Sequence, residues 1–202
     1  MTKVVWGAKA ASLLALAVAV TSCGTLTRQG TSSSYLVINS LQGSPGLSGN
    51  FGSVLQSDVL NVDPTTHAQT IAPDQGQVTL ALALKDPGSS TNPNTPTPNN
   101  YITLTQYHVE YVRSDGRNTQ GVDVPYAFDG AVTATVNGTT TVGFTLVRIQ
   151  AKQEAPLQAL ASGGSAIAIT TIAKVTFYGH DQTGREVSVS GNIEVDFADW
   201  AG

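Results

Sequence analysis

Between Arg185 and Phe197 the chain alternates strictly for most of its length, with Val187, Val189, Ile193, Val195 and Phe197 set against Glu186, Ser188, Ser190, Asn192, Glu194 and Asp196. Successive side chains of an extended chain leave on opposite faces, so this period of two predicts an antiparallel strand with one face in a core and one in water. Gly191 inside the run predicts a bulge or bend. Ser165 to Tyr178 supplies a partner, apolar at Ile167, Ile169, Ile172, Val175 and Phe177. The turn between them falls on Gly179 to Gly184, where Asp181 can hydrogen-bond locally and Gly184 can accept a positive φ.

The same period recurs along the chain. Val132, Ala134 and Val136 precede Asn137-Gly138, and Val142, Phe144 and Leu146 follow, which predicts a second hairpin across Ala131 to Gln150 with a tight primed turn. Tyr35 to Asn39, Val54 to Leu60, Gln77 to Leu84 and Tyr101 to Arg113 are further strand candidates, for about eight in all (a range of 7–9). The helical candidate is one short segment near 155–161, opened by Pro156. Many strands separated by polar turns favour an all-β, antiparallel two-sheet sandwich, because each sheet can then hide one apolar face against the other. In outline this resembles the immunoglobulin and fibronectin type III arrangements. The resemblance is architectural: the Cys-Trp-Cys signature is absent, and a shared fold carries no function.

The N-terminus has a different character. Lys3 and Lys9 form a positive start, Ala10 to Val20 a short apolar core, and Val20-Thr21-Ser22-Cys23 closes the segment with the chain's one cysteine. A membrane-spanning helix needs about 20 apolar residues, and this run falls well short. The tetrad resembles the bacterial lipobox, in which an aliphatic and two small residues precede a cysteine that takes a diacylglyceryl group. That resemblance implies cleavage between Ser22 and Cys23, a covalent diacylglyceryl/acyl lipid on Cys23, and a cell-envelope address. Two or three acyl chains make such attachment lasting where a single chain would not. In the same sorting logic an aspartate after the cysteine retains a lipoprotein at the inner membrane; Gly24 stands there, which favours the outer membrane if the source has two. The expected layout is a cleaved signal peptide at 1–22, a flexible tether at 23–34, and one β-sandwich domain at 35–202 with a Pro/Asn-rich connecting loop at 86–100.

Loss of Lys3 and Lys9 with the signal takes the formal charge from -4 to -6. The remaining basic residues are scattered, which excludes nucleic-acid binding by phosphate neutralisation. With one cysteine there is no internal disulfide, so stability has to come from a core.

Catalytic and metal-binding patterns are weak. His67, His108 and His180 lie apart, without the short His or Cys intervals of a zinc site. His180 and Asp181 adjoin on an expected exposed turn, where turn chemistry accounts for them. Gly46-Leu47-Ser48-Gly49 does not have nucleophile-elbow spacing, and Gly43, Gly46, Gly49 and Gly52 read as a mobile loop. Asp115, Asp123, Asp129 and Asp181, placed in turns, could meet at one end of a sandwich and hold Ca²⁺. Sugar-stacking candidates are Tyr101, Tyr107, Tyr111, Tyr126, Tyr178 and Trp200; Tyr107 and Tyr111 share a face with Val109 and are expected in the core, and Trp200 is expected to clamp the last strand. The functional expectation is a non-enzymatic envelope lipoprotein, with no catalytic, cofactor or metal residues, that offers its sandwich to an envelope protein partner; a carbohydrate- or calcium-binding module is the alternative, and an enzyme with a dispersed site comes after it.

Overall fold

The computed structural model describes residues 31–46, 48–63, 65–161 and 168–200, and within them the chain is built almost wholly from strands. These are β1 (Ser34–Ser44), β2 (Val54–Asp58), β3 (Asn61–Val62), β4 (Gln69–Thr70), β5 (Asp74–Leu84), β6 (Gly88–Ser89), β7 (Asn92–Pro93), β8 (Ile102–Val112), β9 (Phe128–Val136), β10 (Thr139–Val147), β11 (Ile169–Asp181) and β12 (Glu186–Ala198), with one short helix, α1 (Ile149–Gln153). Eight of them form two sheets, β1-β5-β10 and β2-β12-β11-β8-β9, while β3-β4 and β6-β7 are two-residue ribbons. The fold is therefore all-β and sandwich-like. The signal segment, Ser22 and Cys23 lie outside the described residues, as does Ile167.

The two sheets bury one face each against the other. Phe144 on β10 meets Phe177 on β11 edge-on at 5.2 Å and Tyr107 on β8 at 5.3 Å, so the aromatic centre of the core joins both sheets. Around it Val78, Leu80, Leu104, Val109, Val175, Val195 and Phe197 are fully buried. Tyr107 and Tyr111 lie in this core as the alternation of β8 predicts, and both hydroxyls reach the opposite sheet: Tyr111 donates to the Leu146 carbonyl at 2.6 Å, and Tyr107 accepts from the Thr145 N–H at 3.2 Å.

Several local expectations are corrected. Asn137-Gly138 joins β9 to β10, but the two strands pair with β8 and β5 respectively, so the segment is a corner between sheets and not a hairpin. The Gly138 carbonyl accepts from the Leu82 N–H at 2.7 Å, which commits the outgoing strand to β5. Gly191 sits in unbroken register opposite Val175, and its missing side chain makes room for Ile38, whose Cδ1 would lie 2.8 Å from a Cβ there. The register shift in this region is instead between Tyr178 and Gly179, against β8. The helix falls at 149–153, with only a single 3₁₀ turn at Leu157–Ala159 inside the expected 155–161. Ser32 and Ser34 are buried, which puts the domain's edge inside the expected tether. One pairing is parallel, β2 alongside β12.

The strands give the sandwich two distinct ends. Asp181 pairs with Ile102, and Asn100 bonds Ser33 and Ser34, so the start of β1 lies at the end marked by the β11–β12 turn. Ala198 pairs with Asp58, and Ser44 with Gln75 beside Asp74, at the opposite end.

Candidate functional site

The period-two pattern of β5 places Asp74 on the same face as Gly76, Val78 and Leu80, and hence in the core. A carboxylate there needs a partner, and α1 brings Lys152 to it. Both side chains are wholly buried and Nζ lies 2.8 Å from Oδ1. The remaining polar capacity is used: the Gly46 N–H donates to Oδ1 at 2.9 Å, the Ser57 hydroxyl to Oδ2 at 2.5 Å, and Nζ also donates to the Asp58 carbonyl at 2.7 Å. Burial raises the Asp74 carboxyl above its ordinary range, against the opposing pull of Lys152, Ser57 and Gly46. The need to reach Asp74 explains why the helix is at 149–153 and not around Pro156.

This cluster fixes three segments at the end remote from the start of β1. It holds the loop at Pro45–Gly46, the end of β2 at Ser57–Asp58, and α1. Gly43 and Gly52 close the glycine-rich loop with reciprocal N–H to carbonyl bonds of 2.9 Å, so its two ends are anchored. On these supports lies a groove of about 400 Å³ lined by Pro45, Ser48, Gln56, Asp58, Asn61 and Trp200. Trp200 is half exposed; its backbone N–H donates to Asp58 Oδ1 at 3.3 Å, so its backbone is held while its indole stands at the groove. The expected clamp is thus a backbone clamp only. Burial raises the Asp58 carboxyl, with Asp199 adding to the rise and the N–H groups of Trp200 and Leu60 opposing it. Asn61 Nδ2 is buried without a hydrogen-bond partner among the described residues.

The other candidate residues are dispersed. Asp181 and the Asp115–Asp123 loop lie at opposite ends of β8, an 11-residue strand, about 35 Å apart at 3.4 Å per residue. Asp115 pairs with Arg113 and Arg117, Asp123 caps the Thr119 N–H, and Asp129 lies on β9, not in a turn. Among the described residues no three His, Cys, Asp or Glu gather to hold a metal ion. His180 and Asp181 end β11 on opposite faces: the histidine is exposed, while Asp181 is buried and its Oδ1 accepts from Thr183 and the Arg185 N–H. His67 is exposed with φ 55° between β3 and β4.

His108 and Asp129 meet across β8 and β9 at 2.9 Å, a pair that sequence spacing does not reveal. Both are partly in water, and Asp129 lines a shallow groove with Tyr107, Phe128, Thr145 and Arg148. The His108 hydrogen bond lowers the Asp129 carboxyl, as in an ordinary surface pair. Exposed aromatics are spread over the surface: Tyr35 and Tyr178 towards the start of β1, Phe51, Tyr126 and Trp200 towards the far end.

One sheet edge stands out. Among the described residues β1 pairs with β5 on one side only, apart from the Gly43–Gly52 bridge, and it has neither a charged residue nor a proline along Ser34–Ser44. Tyr35 and Val37 on it are exposed. β10, the other edge of the same sheet, is also uncharged, but Thr139, Thr141 and Gly143 occupy its exposed positions.

Fold and surface together define a β-sandwich-like domain with a long, uncharged edge strand and a polar, tryptophan-bordered groove. No protein-family model matches the chain, and no curated protein matches it.

Proposed function

We propose that the chain is a non-enzymatic envelope lipoprotein, held to a membrane through lipid on Cys23 and contributing its sandwich to interaction with an envelope protein. The observation that carries this is the β1 edge. Edge strands of soluble proteins are normally blunted by charge, proline, shortness or a bulge; β1 has one register shift, between Ile38 and Ser40, but is eleven residues long, uncharged, and exposes Tyr35 and Val37 ahead of the shift. An extended partner segment adding beside β1 would gain main-chain hydrogen bonds along the edge and side-chain contacts at those two positions. The edge begins eleven residues after Cys23, close to where an envelope partner would meet a lipid-anchored domain.

The anchor and the edge are tested separately in a lipoprotein-processing host. A clickable fatty acid is expected to label the parent chain and not Cys23→Ser, with a mature mass starting at modified Cys23; label insensitive to the substitution overturns the anchor. A photo-crosslinking residue placed at Val37 is expected to give a discrete protein adduct that the same residue at Thr141 does not. Equal adducts at both positions, or none at either, overturn the edge as the contact.

A further inference from the structure

The groove at Trp200 has a different chemistry from the β1 edge and lies at the other end of the domain. We infer that it is a saccharide subsite, in which the indole of Trp200 stacks on a pyranose ring while Asp58, Asn61 and Gln56 take up its hydroxyls. A sugar ring offers an apolar C–H face and a rim of groups that both donate and accept, and the groove supplies the complement of each. Trp200 is half exposed and borders it. Asp58 supplies acceptor oxygens, Ser48 and Gln56 can donate and accept, and the side chain of Asn61 carries an Nδ2 with no hydrogen-bond partner among the described residues. Nδ2 is closed to solvent, so a turn of the Asn61 amide towards the groove is what would present it to a ligand oxygen and relieve its desolvation cost.

The lining also narrows the ligand. Among the described residues no Lys or Arg borders the groove, and Asp58 is acidic, so a neutral sugar fits better than a uronic or phosphorylated one. About 400 Å³ accommodates one or two rings, smaller than a protein-docking surface. The lining is pre-organised, because the Lys152–Asp74 cluster holds Pro45–Gly46 and Ser57–Asp58 from beneath. This inference rests on neither the lipid anchor nor the β1 edge, and its failure would leave both standing.

The chain has two tryptophans, Trp6 and Trp200. In a Trp6→Phe full-length protein, purified in a detergent without a sugar headgroup, all indole emission therefore reports on the groove whether or not the signal has been removed. Maltohexaose, cellohexaose and chitohexaose are titrated to about 10 mM, the weak-binding range of a small open site. At least one is expected to shift or quench the emission saturably, and Asn61→Ala is expected to weaken that ligand at least tenfold with an unchanged thermal melt. If Asn61→Ala does not fold, Gln56→Ala takes its place and is expected to weaken the ligand several-fold. Emission unmoved by all three sugars, or equal affinity in the folded groove variant, overturns the inference.

Discussion

Asp181 shows how a single side chain can be misplaced by its neighbours. Beside His180 and before Gly184 it reads as an exposed turn residue, yet it is the last residue of β11 and alternation turns it inward. Burial alone would raise its carboxyl, but the hydroxyl and N–H of Thr183, the Arg185 N–H and the Ser32 hydroxyl outweigh that and set it below the ordinary 3.8. A depressed native carboxyl means the unfolded chain binds more protons just below pH 3.8, so this contribution is complete above that pH and is lost as the pH falls through the native value. Asp181→Asn is therefore expected to lower stability at neutral pH and to flatten its fall as the pH drops below about 4, read by denaturant titration at a series of pH values; an unchanged slope would refute the assignment. Gly130 carries a second residue-scale prediction. A Cβ there would lie 2.1 Å from the Tyr107 ring, which is already enclosed by Phe128, Phe144 and Phe177. Gly130→Ala should cost about 1–3 kcal/mol by overpacking, and a parent-like melting temperature would show that Tyr107 can move aside.

At the scale of elements, the strands and the β11–β12 hairpin were legible, and the other pairings were not. Period two marks β8, β11 and β12 because each has one buried and one wet face, a property of the local sequence. Whether β9 and β10 pair with each other depends on which distant carbonyls are already taken, and Gly138 is claimed by Leu82 of β5. The helix was misplaced for a similar reason: propensity points to the segment opened by Pro156, while a charge buried 78 residues upstream decides where α1 must lie. A signal for that charge did exist, since the inward phase of Val78 and Leu80 carried back along β5 lands on Asp74, and Leu55 and Val59 place Ser57 likewise. Lys152 had no comparable mark. The pair yields a prediction about its elements: Lys152→Met leaves a buried carboxylate alone and should cost about 3–5 kcal/mol. Adding Asp74→Asn to that variant removes the orphan charge, and much of the loss should return, as a double-mutant cycle would measure. Additive losses would mean that Lys152 acts through packing and not through Asp74.

At the scale of the molecule, direction matters more than composition. The chain enters β1 at the end occupied by Asn100 and the β11–β12 turn, and the strand then runs about 35 Å at 3.4 Å per residue to Ser44, beside Gly46 and the Trp200 groove. If Cys23 is the anchor, membrane and groove sit at opposite ends of the domain, and only a short segment separates the first from β1. A domain held in this way would offer its groove outward and its β1 edge closer to the lipid. Energy transfer can test that polarity in lipid vesicles carrying a dansyl headgroup. With the processed lipoprotein in the membrane, Trp200 as sole indole should transfer weakly, whereas Ser33→Trp in a Trp6→Phe/Trp200→Phe background should transfer strongly, because residue 33 lies at the entry to β1. Transfer depends steeply on distance, so the two ends of an upright domain separate clearly. Equal transfer from the two positions would describe a domain lying flat with its groove available to the lipid surface, and stronger transfer from Trp200 would invert the orientation altogether.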